Sequence, residues 1–193
     1  MTPWKNSSKA ASRRSRLLLA LLFALSAVGL ACQDLELSVR RDGPLVRAAA
    51  VFRWDREEEL LSTLREGLES RITFTLRAFE RSAGLLSLLG DRLLAEKTVA
   101  RSAYFNFLDG TYIVEESDGA RAAYTDLAAL LTGFFSARGV ALPVPRQARR
   151  GPCYVSARVL FEPVRLSAPL SIVSLAGAAV SHTSAWVRAE IPQ

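Results

Sequence analysis

The chain has 193 residues, half of them hydrophobic, and carries 25 Lys+Arg against 19 Asp+Glu, a formal charge of +6. Five of the basic residues (Lys5, Lys9, Arg13, Arg14, Arg16) precede Cys32; without them 20 face 19 and the charge falls to +1. A nearly neutral chain with no basic block lacks the field that holds nucleic acid non-specifically, which excludes nucleic acid as a partner.

The basic stretch runs into an uncharged segment from Leu17 to Ala31, the n-region and h-region of a secretory signal peptide. Its fifteen residues fall short of the roughly 20 that cross a bilayer, so a cleaved signal is expected rather than an uncleaved anchor. The segment ends Val28-Gly29-Leu30-Ala31-Cys32. Small residues before a cysteine fit a bacterial lipoprotein box, in which diacylglycerol alkylates the thiol before the peptidase cuts on its amino side. Lipid attachment at Cys32, with membrane lipid as partner, is the leading expectation. Gly29 and Ala31 also suit an ordinary signal peptidase, so a soluble secreted or periplasmic protein is the alternative. Arg13-Arg14 has the look of a twin-arginine signal, but Arg16 stands where that motif wants an apolar residue, and unfolded export is preferred. Residues 1–31 are then the signal peptide and 32–193 a single exported domain, whose 162 residues can surround one core.

Leu35, Leu37 and Val39 alternate with Glu36, Ser38 and Arg40 at the period of a half-buried strand, Asp42-Gly43-Pro44 turns it, and a second strand runs from Leu45 to Trp54. Asp55, with Glu58 three residues on, predicts a helix N-cap, and Leu60, Leu61, Leu64 and Leu68 mark the buried face of a helix over Glu57–Glu69. Ile72, Phe74 and Leu76 alternate with Thr73, Thr75 and Arg77 as a third strand. The stretch Leu85 to Leu94 stays ambiguous, because Gly84 and Gly90 interrupt any helix there. Val99 to Leu108 and Thr111 to Val114 predict a hairpin around a two-residue Asp109-Gly110 turn, with Phe105, Phe107, Tyr112 and Val114 paired across it. After Asp118-Gly119, the spacing of Leu127, Leu130, Leu131, Phe134 and Phe135 predicts a helix over Thr125–Ala137 that Gly139 ends.

A loop from Gly139 to Pro152 follows, in which Pro143 and Pro145 accompany Arg146, Arg149 and Arg150. It is the candidate partner-binding loop, although many loops of this length are only solvated connections. Cys153, Val155, Ala157, Val159 and Phe161 then alternate with Tyr154, Ser156, Arg158 and Glu162 as a core strand. Cys153 reads as a small buried apolar residue; a disulfide to Cys32 competes with that reading only if Cys32 escapes the lipid. Leu166 to Val187 carries no charge, but Pro169, His182, Thr183 and five serines make it a packed segment rather than a membrane span. From Ser181 on, Thr183, Ala185, Val187, Ala189 and Ile191 are expected to face the core, and His182, Ser184, Trp186, Arg188 and Glu190 to face out. Trp186 is thereby a second partner-binding candidate, for a protein interface or a membrane surface. The fold expected is α+β, one antiparallel sheet in the order β-β-α-β-β-β-α-β plus a C-terminal strand, packed by two helices.

Three stretches resemble a family of bacterial envelope proteins, domain of unknown function 4390. They are a helix end running into a strand (Leu64 to Gly67, then Leu68 to Phe74), a hairpin with Phe105, Leu108 and Tyr112, and Arg165-Leu166-Ser167-Ala168-Pro169-Leu170. The likeness covers about Leu35 to Arg188. Ser167 replaces a frequent proline and Phe105 a frequent tyrosine, and the aromatic-rich stretch before the hairpin is absent. The resemblance implies an exported α+β domain and brings no catalytic residues.

The residues themselves carry no evident chemistry. His182 alone cannot assemble a histidine metal cluster, and the two cysteines have no zinc-ligand spacing. No Gly-x-Ser-x-Gly elbow presents a serine, and no glycine-rich phosphate loop or dinucleotide fingerprint is present. Glu57-Glu58-Glu59 suits the dipole of a helix start, and Glu115-Glu116-Asp118 a solvated turn. The expectation is a non-enzyme without cofactor: a lipid-anchored binding or structural module of the cell envelope that docks an envelope partner. The alternative is a periplasmic carrier or sensor enclosing an apolar or lipid ligand between Phe74, Phe105, Phe107, Phe134 and Phe135.

Overall fold

The computed structural model describes residues 34–82, 84–145, 152–165 and 181–192, of which Asp34 onward forms one compact unit. Cys32, Arg146, Arg149, Arg150 and the Leu166 to Val180 part of the uncharged stretch lie outside the described residues. Among the described residues the architecture is sheet-dominated, with antiparallel strands and two helices.

β1 (Leu35–Asp42) and β2 (Leu45–Phe52) pair along their whole length, from Leu35 against Phe52 to Asp42 against Leu45. Two intervening residues, Pro44 and a left-handed Gly43 (φ 60°), make the turn that the Asp-Gly-Pro triplet predicts. α1 (Glu57–Arg65) follows, then β3 (Glu69–Glu80), a 3-10 turn (Gly84–Leu89), β4 (Arg92–Asn106), β5 (Thr111–Glu116) and β6 (Arg121–Tyr124). α2 (Leu127–Phe134) leads into β7 (Ser136–Pro143), and β8 (Cys153–Arg165), β9 (His182–Thr183) and β10 (Val187–Glu190) complete the described chain.

The strands form two sheets rather than the single sheet expected. β1, β2 and β7 make a small sheet in that order; the large one runs β10-β8-β3-β4-β5-β6, with β9 also on β8. β1 lies against β8 and β10, β2 against β8, and β7 against β3 and β4, so the small sheet covers part of one face of the large one. α1 covers that face at β3, β4 and β8, and α2 at β4, β5 and β6. Between the layers lie Val46, Ala48, Ala50 and Phe52 of β2, Ile72, Phe74, Leu76 and Ala78 of β3, and Val155, Ala157, Val159 and Phe161 of β8, all buried. Strict alternation in β3 puts Arg71, Thr73, Thr75, Arg77 and Phe79 on the opposite, uncovered face.

Several local expectations are corrected. β6 and β7 are absent from the sequence reading; β7 contains Gly139 and ends at Pro143, residues that local rules read as breakers. Gly139, at φ 67°, sits in a bulge where Arg138 and Gly139 together oppose Ala49 of β2. Helix α1 has Arg56 at its N-cap with no side-chain cap, so Asp55 does not play that part, whereas Asp126 caps α2 by accepting from the Ala129 N–H at 2.9 Å. The β4–β5 loop is four residues, Phe107 to Gly110, closed by the Asn106–Thr111 pair, and leaves Phe107 outside the cross-strand pairs. Leu127, expected in the stripe of α2, is exposed, while Leu130 and Phe134 are fully buried. The C-terminal alternation holds for Val187, Ala189 and Ile191 against Arg188 and Glu190, but is inverted before them: His182 and Ser184 turn inward, and Thr183 and Ala185 are exposed. Ser184 is the cause. Its N–H donates to the Val159 carbonyl and its hydroxyl accepts from the Val159 N–H, both at 2.9 Å, so it breaks the ladder between β9 and β10.

Candidate functional site

The uncovered face of the large sheet gathers arginines and aromatic rings at the end of β3 that leads to the 3-10 turn. Register decides who meets whom: Arg77 of β3 is opposite Ser156 of β8, Phe79 opposite Tyr154, and Thr75 opposite Arg158. On the outer side of β8, Arg188 pairs with Ser156 and Glu190 with Tyr154. Trp186, just before β10, thereby receives two guanidinium groups over its ring, Arg158 at 4.8 Å and Arg77 at 5.0 Å. Tyr154 carries Arg188 at 5.2 Å and Arg81 at 5.8 Å, and stacks on Phe79 at 5.4 Å.

Charge on this face is only partly compensated. Arg77 pairs with Glu96 at 3.0 Å and Arg81 with Glu190 at 2.7 Å, while Arg158 and Arg188 make no ion pair among the described residues. A guanidinium stacked on a ring engages its face and keeps the donors at its edge for an oxyanion. Tyr154 is also fixed through its hydroxyl, which donates to Asp91 at 2.7 Å; Asp91 accepts from the Ser82 N–H as well, closing the loop that holds the 3-10 turn. These bonds, the tyrosine's foremost, hold the Asp91 carboxyl below its usual range. Burial first, and then the bond to Asp91, push the Tyr154 phenol up. The arrangement is a cationic and aromatic surface, a chemistry that can hold carboxylate or phosphate groups.

Of the candidates named from sequence, Trp186 is therefore at the centre of this face. Arg146, Arg149 and Arg150 lie outside the described residues, but Pro152, just beyond them, accepts from the Arg81 N–H at 2.9 Å, so β8 begins beside this site. Arg77, Arg81, Tyr154, Arg158 and Arg188 carry no local sequence signal that marks them as a site. Their outward alternation was visible in the sequence, but the register that brings three strands together was not.

Other polar groups have structural partners. Arg101, mostly buried, binds Glu116 and donates to the carbonyls of Gly133 and Ser136, tying the end of α2 to β4. His182 lies 3.3 Å from the Asp34 carboxylate and packs against Phe52 and Trp54 instead of facing out. Cys153 carries a free, partly buried thiol that burial and neighbouring Glu80 push up, which keeps it protonated and a poor nucleophile. Among the described residues no group of three or more His, Cys, Asp or Glu side chains is placed to hold a metal ion, and no helix is long and apolar enough to cross a membrane.

Concavities also flank the core among the described residues. One of about 370 Å³ is lined by Glu69, Arg71, Ser102, Tyr104, Glu115 and Glu116 at the other end of the uncovered face. Another, about 400 Å³, lies between Phe52, Trp54, Leu131, Phe135 and the polar Arg53 and Arg138. Comparison with protein-family models, with curated proteins and with solved structures found no match to this chain.

Proposed function

We propose that the chain is an exported, lipid-anchored protein of the bacterial cell envelope that works by binding and not by catalysis, holding anionic groups of an envelope partner on the face around Trp186. The observation that carries this reading is the pair Arg158 and Arg188, each placed over an aromatic ring yet without an ion-pair partner among the described residues. The signal peptide over residues 1–31 and the acylated Cys32 belong to the same proposal, as do Arg146, Arg149 and Arg150 as further contacts. The likeness to domain of unknown function 4390 accords with an envelope location.

The carrier reading is the weaker one. Phe74, Phe134 and Phe135 are buried, and Phe161 lies 6.2 Å from Phe134 and 5.3 Å from Phe135, so these rings fill space that a ligand would need; Phe107 is exposed.

The test is native purification from membranes of wild type and of the Arg158→Ala, Arg188→Ala double variant, followed by mass spectrometry of the protein and its co-purifying material. The expectation is acyl mass on Cys32 and a partner that wild type retains at low salt, loses at high salt, and that the variant holds about tenfold more weakly, as loss of charge-assisted hydrogen bonds implies. Equal retention by both proteins would remove this face from the binding site. An unmodified N-terminus at another residue would defeat the anchor, and turnover of a substrate lost on replacing His182 would overturn the non-catalytic reading.

A further inference from the structure

The apex of the β4–β5 hairpin is an apolar point exposed to solvent. Leu108 is 96% exposed and Phe107 64%. The apex is held in shape: the Asn106 amide donates to Asp109 at 2.6 Å, and its carbonyl oxygen accepts from the Leu108 N–H at 3.0 Å. The Phe107 ring meets Phe105 edge-on at 5.1 Å and passes so close over Gly67 that a β-carbon there would stand 3.3 Å from it. Two large apolar side chains are thus kept in water on a rigid turn.

The position of the chain start indicates what covers them. Only Gln33 separates Cys32 from Asp34, a reach of about 7 Å of extended chain. Asp34 is bonded to His182, His182 is opposite Phe161, Phe161 opposite Ile72, and Ile72 opposite Arg101. From that level β4 continues to Asn106 and the apex, whereas β3 runs the other way, to Glu80 and the 3-10 turn. The level of Asp34 is five strand residues from the end of β4 at Asn106 and eight from the end of β3 at Glu80, so the start of the described chain lies nearer the hairpin apex than the 3-10 turn, with Thr75 and Arg158 three residues away on the other side.

We propose that Phe107 and Leu108 insert into the bilayer that holds the acylated Cys32, giving the domain a second membrane contact and a fixed orientation. The proposal rests on the lipid-anchor reading. An apolar side chain on a rigid turn gains by leaving water for the acyl boundary, and it needs no anionic headgroup to do so.

The test labels Leu108→Cys or Leu88→Cys with a nitroxide, in a Cys153→Ala background, in acylated protein reconstituted into phosphatidylethanolamine and phosphatidylglycerol vesicles. Leu88 is 83% exposed on the 3-10 turn at the opposite end and is the aqueous comparison. Collision with oxygen relative to a water-soluble nickel chelate should be several-fold higher at 108 than at 88, and unchanged by salt. Equal ratios at the two sites on protein whose intact mass shows acylated Cys32 would overturn the tip contact and leave the anchor standing. Unacylated Cys32 in the same mass measurement would overturn the anchor and the tip contact with it.

Discussion

Arg158 stands 4.8 Å over the ring of Trp186, and neither residue's neighbours in sequence bring the two together. β8 supplies one and the residue before β10 the other, so the contact exists only because those strands pair. A double-mutant cycle with Arg158→Ala and Trp186→Ala should give a coupling of about 0.5 to 1 kcal/mol, the scale of an exposed cation–π contact. Urea unfolding of the four proteins measures it, and additive losses would mean the stacking carries no energy.

The Asp91–Tyr154 bond predicts a pH dependence. Asp91 has a folded-state pKa below its unfolded one, chiefly because the Tyr154 hydroxyl donates to it and next because the Ser82 N–H does. The resulting stability is fully present above the unfolded value of about 3.9 and is lost as pH falls through the lower folded value. Tyr154→Phe should move the Asp91 carboxyl up towards its ordinary range in a carbon-13 titration, and should shift acid unfolding to higher pH. An Asp91 titration unchanged by the substitution would assign the effect to Ser82 alone.

Two helical leucines should separate sharply. Leu64 of α1 is fully buried, and Leu64→Ala should cost roughly 2 to 5 kcal/mol, as truncation of buried leucines does. Leu127 of α2 is 37% exposed, and its truncation should stay below about 1 kcal/mol. Chemical denaturation of both variants checks the contrast, and similar losses would show that the face of α2 is misassigned.

Gly139 offers a test of backbone strain without crowding. Its φ of 67° is left-handed, and a β-carbon there would meet nothing within 4 Å. Gly139→Ala should therefore cost about 1 to 2 kcal/mol from conformation alone, measured by thermal or denaturant unfolding. No loss at all would mean that the bulge rearranges.

The strands and helices whose periodicity is local were legible in the sequence. The β1–β2 hairpin follows from alternation broken by Asp-Gly-Pro, α1 from its leucine spacing, and the inward faces of β3 and β8 from alternating apolar residues. β7 was not legible, because Gly139 and Pro143 signal breaks to any local rule, yet a bulge uses the one and a strand end the other. The inversion at His182 and Ser184 was hidden for a related reason: a serine that bonds the neighbouring strand through its side chain shifts the register without changing the polarity pattern.

What the sequence determined by itself was the sheet-rich α+β character, the near neutrality of the chain from Cys32 onward, and the outward residues of β3 and β8, since these depend on composition and on a period of two. What tertiary structure decided was which outward residues become neighbours. Arg77, Trp186 and Arg158 are far apart along the chain and meet because β3, β8 and the segment before β10 lie side by side. Non-local pairing is set by the joint burial of two sheets and two helices, a property of the whole packed core that no window of sequence contains.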